Sequence, residues 1–277
     1  MAIKSFLRLA TTLLLAGAIS SNPAAAETVQ VFLGSVAMDT PVDMVERFKL
    51  LTNYLTDKTG LHVTFRASPN MDAAISDLGT NRIQIAYLSP VAYIEARKKY
   101  GSRPLVEAIT LSESTFRLVV VVPQDSPIKT MRDLKGKTFA FGDEKAMLQR
   151  AVVISGGINL GDLGQYAFLN HYDNIAKAVL NKDFDAGIIK ESIFVEFRNR
   201  GLRVIYSSPQ LPPYLFAVSH KLPQATAKKL RDAMVALKAD SVEHNAILKQ
   251  LDKGYDGFAD AHDADYDVVR KLIAPLQ

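Results

Sequence analysis

Residues 28–36 (TVQVFLGSV) begin as an alternation of polar and apolar side chains and run into Gly34-Ser35, the pattern of a half-covered strand. Pro41 then opens a stretch whose apolar residues fall at Met44, Phe48, Leu51 and Leu55, a helical spacing that Gly60 closes as a natural C-cap. LHVTFRA (61–67) predicts a second strand, 70–78 a short helix and IQIAYL (83–88) a third strand. Ser89-Pro90 starts a further helix through Tyr100, where proline is tolerated because its missing N–H would be unpaired in the first turn anyway. This β-α-β-α-β-α order calls for a mainly parallel sheet with helices on both faces.

The period then changes. Residues 105–111 and 116–122 are adjacent extended runs with no helix between them, and FRLVVVV (116–122) has the continuous apolar run of a strand buried on both faces. A second α/β series follows: TFAF (138–141), a helix from about Met147, a glycine-rich turn over 156–164 and a helix over 174–182. It continues with the strand AGII (186–189), a helix over 192–200 and the strand LRVIYSS (202–208). LFAVS (215–219) is strand-like after Pro212-Pro213, and the chain closes with a helix over 225–237 and two more helices. Two extended crossings, 116–122 and 214–219, therefore bracket a middle α/β segment. The expected architecture is α/β with two lobes, each a mainly parallel sheet flanked by helices. Residues 27–117 and 216–277 would form one lobe and 118–215 the other, with the two connecting strands as a hinge and a ligand between the lobes.

Composition narrows the function more by what it lacks. The 277 residues are 48% hydrophobic and 22% charged, which excludes collagen-like and disordered classes. The chain has no Cys, so thiolate catalysis, iron–sulfur clusters, Cys-type zinc sites and disulfides are all removed. The formal charge of +4 is inflated by residues 1–26, which carry Lys4 and Arg8 and no acid; without those two, 31 basic residues face 29 acidic ones. That balance gives no basis for nucleic-acid binding. The same segment has a charged opening, an apolar run over 9–19 and the exit Ala24-Ala25-Ala26, the layout of a signal peptide cleaved before Glu27. A soluble, monomeric protein exported into a bacterial periplasm is expected. There is no G-x-S-x-G, no H-E-x-x-H and no P-loop, and the five histidines show no metal-ligand spacing. No enzyme, cofactor or metal is called for; DADYD (263–267) reads as a helix start or a weak cation site.

IQIAYLSPVAYIEA (83–96), VVVVPQDSPIKTMRDLKGKTFAF (119–141) and NHYDNIAKAVLNKDFDAGI (170–188), in this order and spacing, resemble the phosphate/phosphite/phosphonate-binding family of ABC-transporter substrate-binding proteins. The resemblance spans roughly 29–238 and implies a type II periplasmic binding protein that captures a small anionic ligand for an ABC permease in the inner membrane. An accessory or sensory role, serving a periplasmic enzyme or a membrane kinase, is the alternative. In the family the anion sits at a Ser-Thr-Ser-Gly turn opening the helix after the TFAF-type strand. Here the turn reads Asp143-Glu144-Lys145-Ala146-Met147-Leu148, without a hydroxyl, so Lys145 would be left as a single point charge. The family histidine matches His171. Of a carboxylate pair that receives ligand amines, Glu191 lies in or beside one position, while the other aligns with Pro213-Tyr214. The resemblance also places an aromatic and a small polar residue at Tyr87 and Ser89. These departures imply weak binding of simple phosphonates and a preference for a larger, more apolar or aromatic anion.

Each candidate site residue has a plainer reading beside the functional one. Ser35 and Ser89 follow strands, where open α/β sheets present binding groups, or they cap the next helix. Lys145 contacts an anion or is a solvated lysine beside Asp143 and Glu144. His171 donates to a ligand or caps a helix. Arg117 points into the cleft or to solvent, and Lys190 and Glu191 are placed to face each other as a salt bridge. Tyr214, in the second crossing, can close over a ligand, whereas Phe216 belongs to the core.

Overall fold

The structure, a computed structural model, describes residues 29–35, 40–144 and 147–276. The expected export signal (1–26) and Lys145 lie outside the described residues. The chain starts with β1 (Gln30–Ser35), α1 (Pro41–Thr59), β2 (His62–Phe65), α2 (Met71–Thr80), β3 (Ile85–Leu88), α3 (Pro90–Tyr100) and β4 (Arg103–Thr110). It crosses to β5 (Leu118–Pro123), β6 (Thr138–Phe141), α4 (Met147–Ser155), β7 (Gln165–Phe168), α5 (Tyr172–Leu180), β8 (Ala186–Lys190), α6 (Glu191–Phe197) and β9 (Leu202–Ser207). It then returns through β10 (Leu215–Val218), α7 (Gln224–Val235), α8 (Val242–Leu251), β11 (Tyr255–Asp260) and α9 (Asp267–Ile273). No helix among the described residues is long and apolar enough to cross a membrane.

Local chemistry sets the helix ends. The Thr40 hydroxyl accepts from the Asp43 N–H ahead of α1, Asn70 accepts from Ala73 N–H ahead of α2, and Gly60 takes φ 69° to end α1. Met44, Phe48, Leu51 and Leu55 are all buried, as their spacing requires. Two runs depart from the sequence reading. QYAF is too short for alternation to stand out, yet it forms β7 at a sheet edge beside β6. The second of the two closing helices is preceded by β11, an edge strand on β4, and a bulge between Tyr255 and Gly257 interrupts the alternation that would mark it.

The strands form two sheets, ordered β11-β4-β10-β3-β1-β2 and β7-β6-β8-β5-β9. In the first, β1 to β4 run one way and β10 and β11 the other; in the second, only β5 opposes its neighbours. The strand that follows each crossing, β5 or β10, therefore lies antiparallel between two neighbours of its sheet. The crossings also pair with each other. Phe116 and Leu211 exchange both backbone hydrogen bonds, at 2.9 and 2.8 Å, and the Arg117 guanidinium donates to the Ser208 carbonyl at 2.8 Å. Ser208 donates its N–H to the Leu118 carbonyl and accepts the Leu118 N–H on its hydroxyl. A single apolar core runs from α2 and α3 through α9 into α4, β5 and β6, with Leu211 and Leu215 inside it, so the two sheets share packing as well as chain.

Leading into the first crossing, Thr110 and Glu113 exchange hydrogen bonds around Leu111 and Ser112, at φ 53° and 65°. Consecutive positive φ values make this a primed hairpin turn, which favours Asn-Gly, and Leu111 is 70% exposed with no packing to offset its strain. The double substitution Leu111→Asn with Ser112→Gly should raise stability by about 1 kcal/mol, read as a higher urea midpoint at unchanged slope; no gain would remove strain from this account.

Glu107, on β4, is buried, and one of its carboxylate oxygens lacks a hydrogen-bond partner among the described residues. Burial, with a smaller push from Asp265, raises its pKa to about 7 against opposing hydrogen bonds from Ser114 and Tyr266. An unfolded glutamate releases its proton near 4.5 and the folded one near 7, so the folded state holds more protons between those values. Stability should fall as pH rises through that window and stay lower above it. Glu107→Gln should flatten the fall, giving a Tm above wild type at pH 8 and a smaller difference at pH 5; parallel Tm profiles would contradict the shift.

Candidate functional site

Two topological switch points are built into these sheets. β1 lies between β2 and β3, so the connections through α1 and α3, which leave the carboxyl ends of β1 and β3, diverge there; β6 between β7 and β8 repeats the arrangement. Ligand groups in open α/β sheets gather at such carboxyl ends. They are marked here by Ser35 and Ser89 in the first sheet and by Gly142-Asp143 and Lys190 in the second. Tyr214, between the second crossing and β10, joins them. Its ring lies 5.2 Å from that of Tyr87, and burial followed by the nearby Tyr172 and Asp143 pushes its pKa up to about 12. Groups from both sheets thus converge on one half-buried tyrosine.

The individual candidates divide. Tyr87 is only 7% exposed, between Phe48, Tyr214 and Phe216, and its hydroxyl is hydrogen-bonded to that of Tyr255. Burial first, and then Tyr255, keep the Tyr87 hydroxyl protonated far beyond the ordinary range. Ser35 is buried as the last residue of β1 and does not cap α1, a position held by Thr40. Ser89 does cap α3, accepting the Ala92 N–H at 3.3 Å. His171 occupies the N-cap position of α5 without a side-chain cap bond, and it is exposed. Arg117 faces neither cleft nor solvent alone, because its guanidinium ties the two crossings together.

The salt bridge expected between Lys190 and Glu191 is not formed. Glu191 is exposed, with its N–H donated to the Arg117 carbonyl, while the Lys190 ammonium lies 5.3 Å from the Phe116 ring centroid and 5.9 Å from that of Tyr172. The physical reason is direction: β8 ends at Lys190 and α6 starts at Glu191, so the two side chains leave the backbone on different sides. Phe216 is fully buried, as expected of core.

Several residues of this region escape the sequence reading. Tyr172 is half-buried beside Lys190, and its hydroxyl pKa is raised by burial. Its only signal is its place next to His171. Tyr255 sits on the strand hidden by a bulge, and Asp252 and Arg47 act on it electrostatically from α8 and α1. Gln149, buried on α4, accepts the Gly142 N–H at 2.7 Å, and a Cβ on Gly142 would fall 2.7 Å from its carboxamide nitrogen. A carboxamide therefore holds the turn where the resembling family has hydroxyls.

Two helix-flanked sheets joined by two paired crossings give the chain the two-lobed fold of the type II periplasmic binding proteins. Residues 33–266 match the family model described as ABC transporter, phosphonate, periplasmic substrate-binding protein, and the chain belongs to that family. Membership makes it a substrate-binding component of periplasmic transport, with a small-molecule ligand and an ABC permease as partners, and does not favour the accessory or sensory alternative. Among solved structures it is similar to XAC2383 from Xanthomonas citri bound to chloride ion (19% identity over 90% of this chain and 97% of that one, TM-score 0.72). PhnD1 from Prochlorococcus marinus in complex with methylphosphonate is also similar (17%, 89% and 98%, 0.69). So is a binding protein component of an ABC phosphonate transporter from Pseudomonas aeruginosa (18%, 89% and 86%, 0.65). At these identities the likeness is one of fold.

Because Ser89 already spends its hydroxyl on a helix start, Ser89→Ala should cost about 1 kcal/mol of stability, measured by denaturant titration. An unchanged midpoint would show the cap to be idle.

Proposed function

We propose that the chain, after removal of residues 1–26, works in the periplasm as a monomer that closes its two lobes on a small organic anion and delivers it to its permease. The lobes are residues 27–117 with 216–277, and 118–215, moving about the paired crossings. The observation that carries this reading is the convergence on Tyr214: the Tyr87 ring from the first sheet packs against it, and Tyr172 and Asp143 from the second act on it electrostatically, so a ligand held there would meet groups of both sheets. Closure then follows from differential contact, since only the closed form offers both sets of groups at once. Tyr87 and Tyr214 supply apolar ring surface, Ser35 and His171 supply polar groups at the strand ends, and Glu191 stands beside them at the start of α6.

The family match supports capture of a small molecule and leaves the ligand itself to the site. The turn at 143–148 offers one ammonium, at Lys145, in place of several hydroxyl donors, and a point charge discriminates less than a directional cluster. Methylphosphonate and phosphite should therefore bind weakly or not at all in isothermal titration. Native mass spectrometry of protein taken from its own periplasm should show a heavier retained ligand. Tight binding of either simple anion would overturn the ligand reading. Tyr214→Ala should weaken binding of the retained ligand by about tenfold, the scale of one lost ring contact.

A further inference from the structure

We infer that Lys190 is the charge that selects the ligand, and that the ligand is an organic acid anion carried on an aromatic or similarly apolar body and lacking an amine. The inference rests on the solute-binding reading above and specifies its site. Lys190 ends β8 at the switch point of the second sheet and is half-buried. The exposed lysines Lys49, Lys99, Lys182 and Lys228 each reach a carboxylate. The Lys190 ammonium has no hydrogen bond or ion pair with any described residue; its near neighbours are the rings of Phe116 and Tyr172. Burial holds its pKa below that of a free lysine, opposed only by Asp252. An ammonium withdrawn from water without a counter-charge is costly, and a ligand acid group supplies what the protein does not.

The ring environment also argues against an amine on the ligand. Aromatic faces are where a protein receives a ligand cation, and at this place the faces of Phe116 and Tyr172 already hold one of the chain's own. A second ammonium would meet Lys190 at short range. The other charges around the site do not reverse this. Asp252 accepts the Gly254 N–H at 2.8 Å and stands at the exposed end of α8. Arg47 acts on Tyr255 with the sign of a further cation, and Asp143 lies toward Tyr214. What remains for the ligand body is ring surface from Phe116, Tyr172 and Tyr214, all half-buried.

The test is isothermal titration of the purified protein with phenylphosphonate, benzenesulfonate, methylphosphonate and 2-aminoethylphosphonate, on wild type, Lys190→Met and Lys190→Glu. Lys190→Met keeps the apolar stem and removes a buried charge, so it should fold, with melting curves as the check. Wild type should bind the aryl anions about tenfold or more tighter than 2-aminoethylphosphonate. Lys190→Met should lose about 30-fold or more for the aryl anions, the scale of a broken buried charge contact. Lys190→Glu should turn the preference toward the amine-bearing ligand. Equal or tighter binding of 2-aminoethylphosphonate by wild type, or unchanged aryl affinity in a folded Lys190→Met, overturns the inference and leaves solute capture standing. If none of the four binds, the mass of the ligand retained in native mass spectrometry decides: an amine-free organic acid sustains the inference, and any other ligand overturns it. No retained ligand at all, with no binding, brings down the solute-capture reading as well.

Discussion

The two chain segments that pass between the sheets are hydrogen-bonded to each other, and the placement of everything else follows from that ribbon. Phe116 pairs with Leu211, and Ser208 is held by Leu118 and Arg117. Pairing satisfies backbone groups that would otherwise be left without partners beside the apolar core, where an orphaned N–H or C=O is expensive. It also fixes how β5 and β10 enter: each continues antiparallel into a sheet whose other strands were laid down by βαβ connections. The ribbon is thus both a covalent link and a register device. A guanidinium that looks like a ligand contact in isolation is spent on keeping it together.

The candidate site forms where that ribbon meets the strand ends. Its character is aromatic and weakly charged. Tyr87 and Tyr255 satisfy each other's hydroxyls in a buried setting, so their contribution is ring surface and shape more than titratable chemistry. Gln149 holds the turn after β6 through Gly142, a bond that leaves little room for side-chain bulk there. Lys190 alone among these groups carries a charge that the described residues do not neutralise. A site of this kind suits reversible capture: it combines the Lys190 ammonium and several ring faces with a hinge.

Much of the architecture is legible in the chain because the signals involved are local. Gly60, Asn70 and Pro90 mark helix ends through backbone preferences that need no tertiary partner, and FRLVVVV announces a strand covered on both faces. The family blocks carry the two-lobed order. QYAF and YDGFAD escape because each is a short edge strand, one four residues long and one bulged, so neither presents a clean period. Ser89 is legible as a capping residue from its place before Pro90. Tyr172 and Gln149 are not legible, since nothing in their neighbours' identities says that they face Lys190 or Gly142.

By itself, then, the sequence determined most of the element order, all but the two short edge strands, together with the α/β class, the family, and a cysteine-free chemistry limited to hydroxyls, amides, tyrosines and a few charges. These are properties of periodicity, caps and composition, which act over a few residues. Only the tertiary structure decided what the charged and aromatic side chains do. Arg117 is committed to the crossing ribbon, Glu191 lies in solvent, and Lys190 turns from its sequence neighbour to the rings of Phe116 and Tyr172. Partners for a charge are chosen by distance in space, and two residues adjacent in the chain at a strand-to-helix junction point apart, whereas Phe116 and Lys190, 74 positions apart in the numbering, are brought together by the β5–β8 pairing.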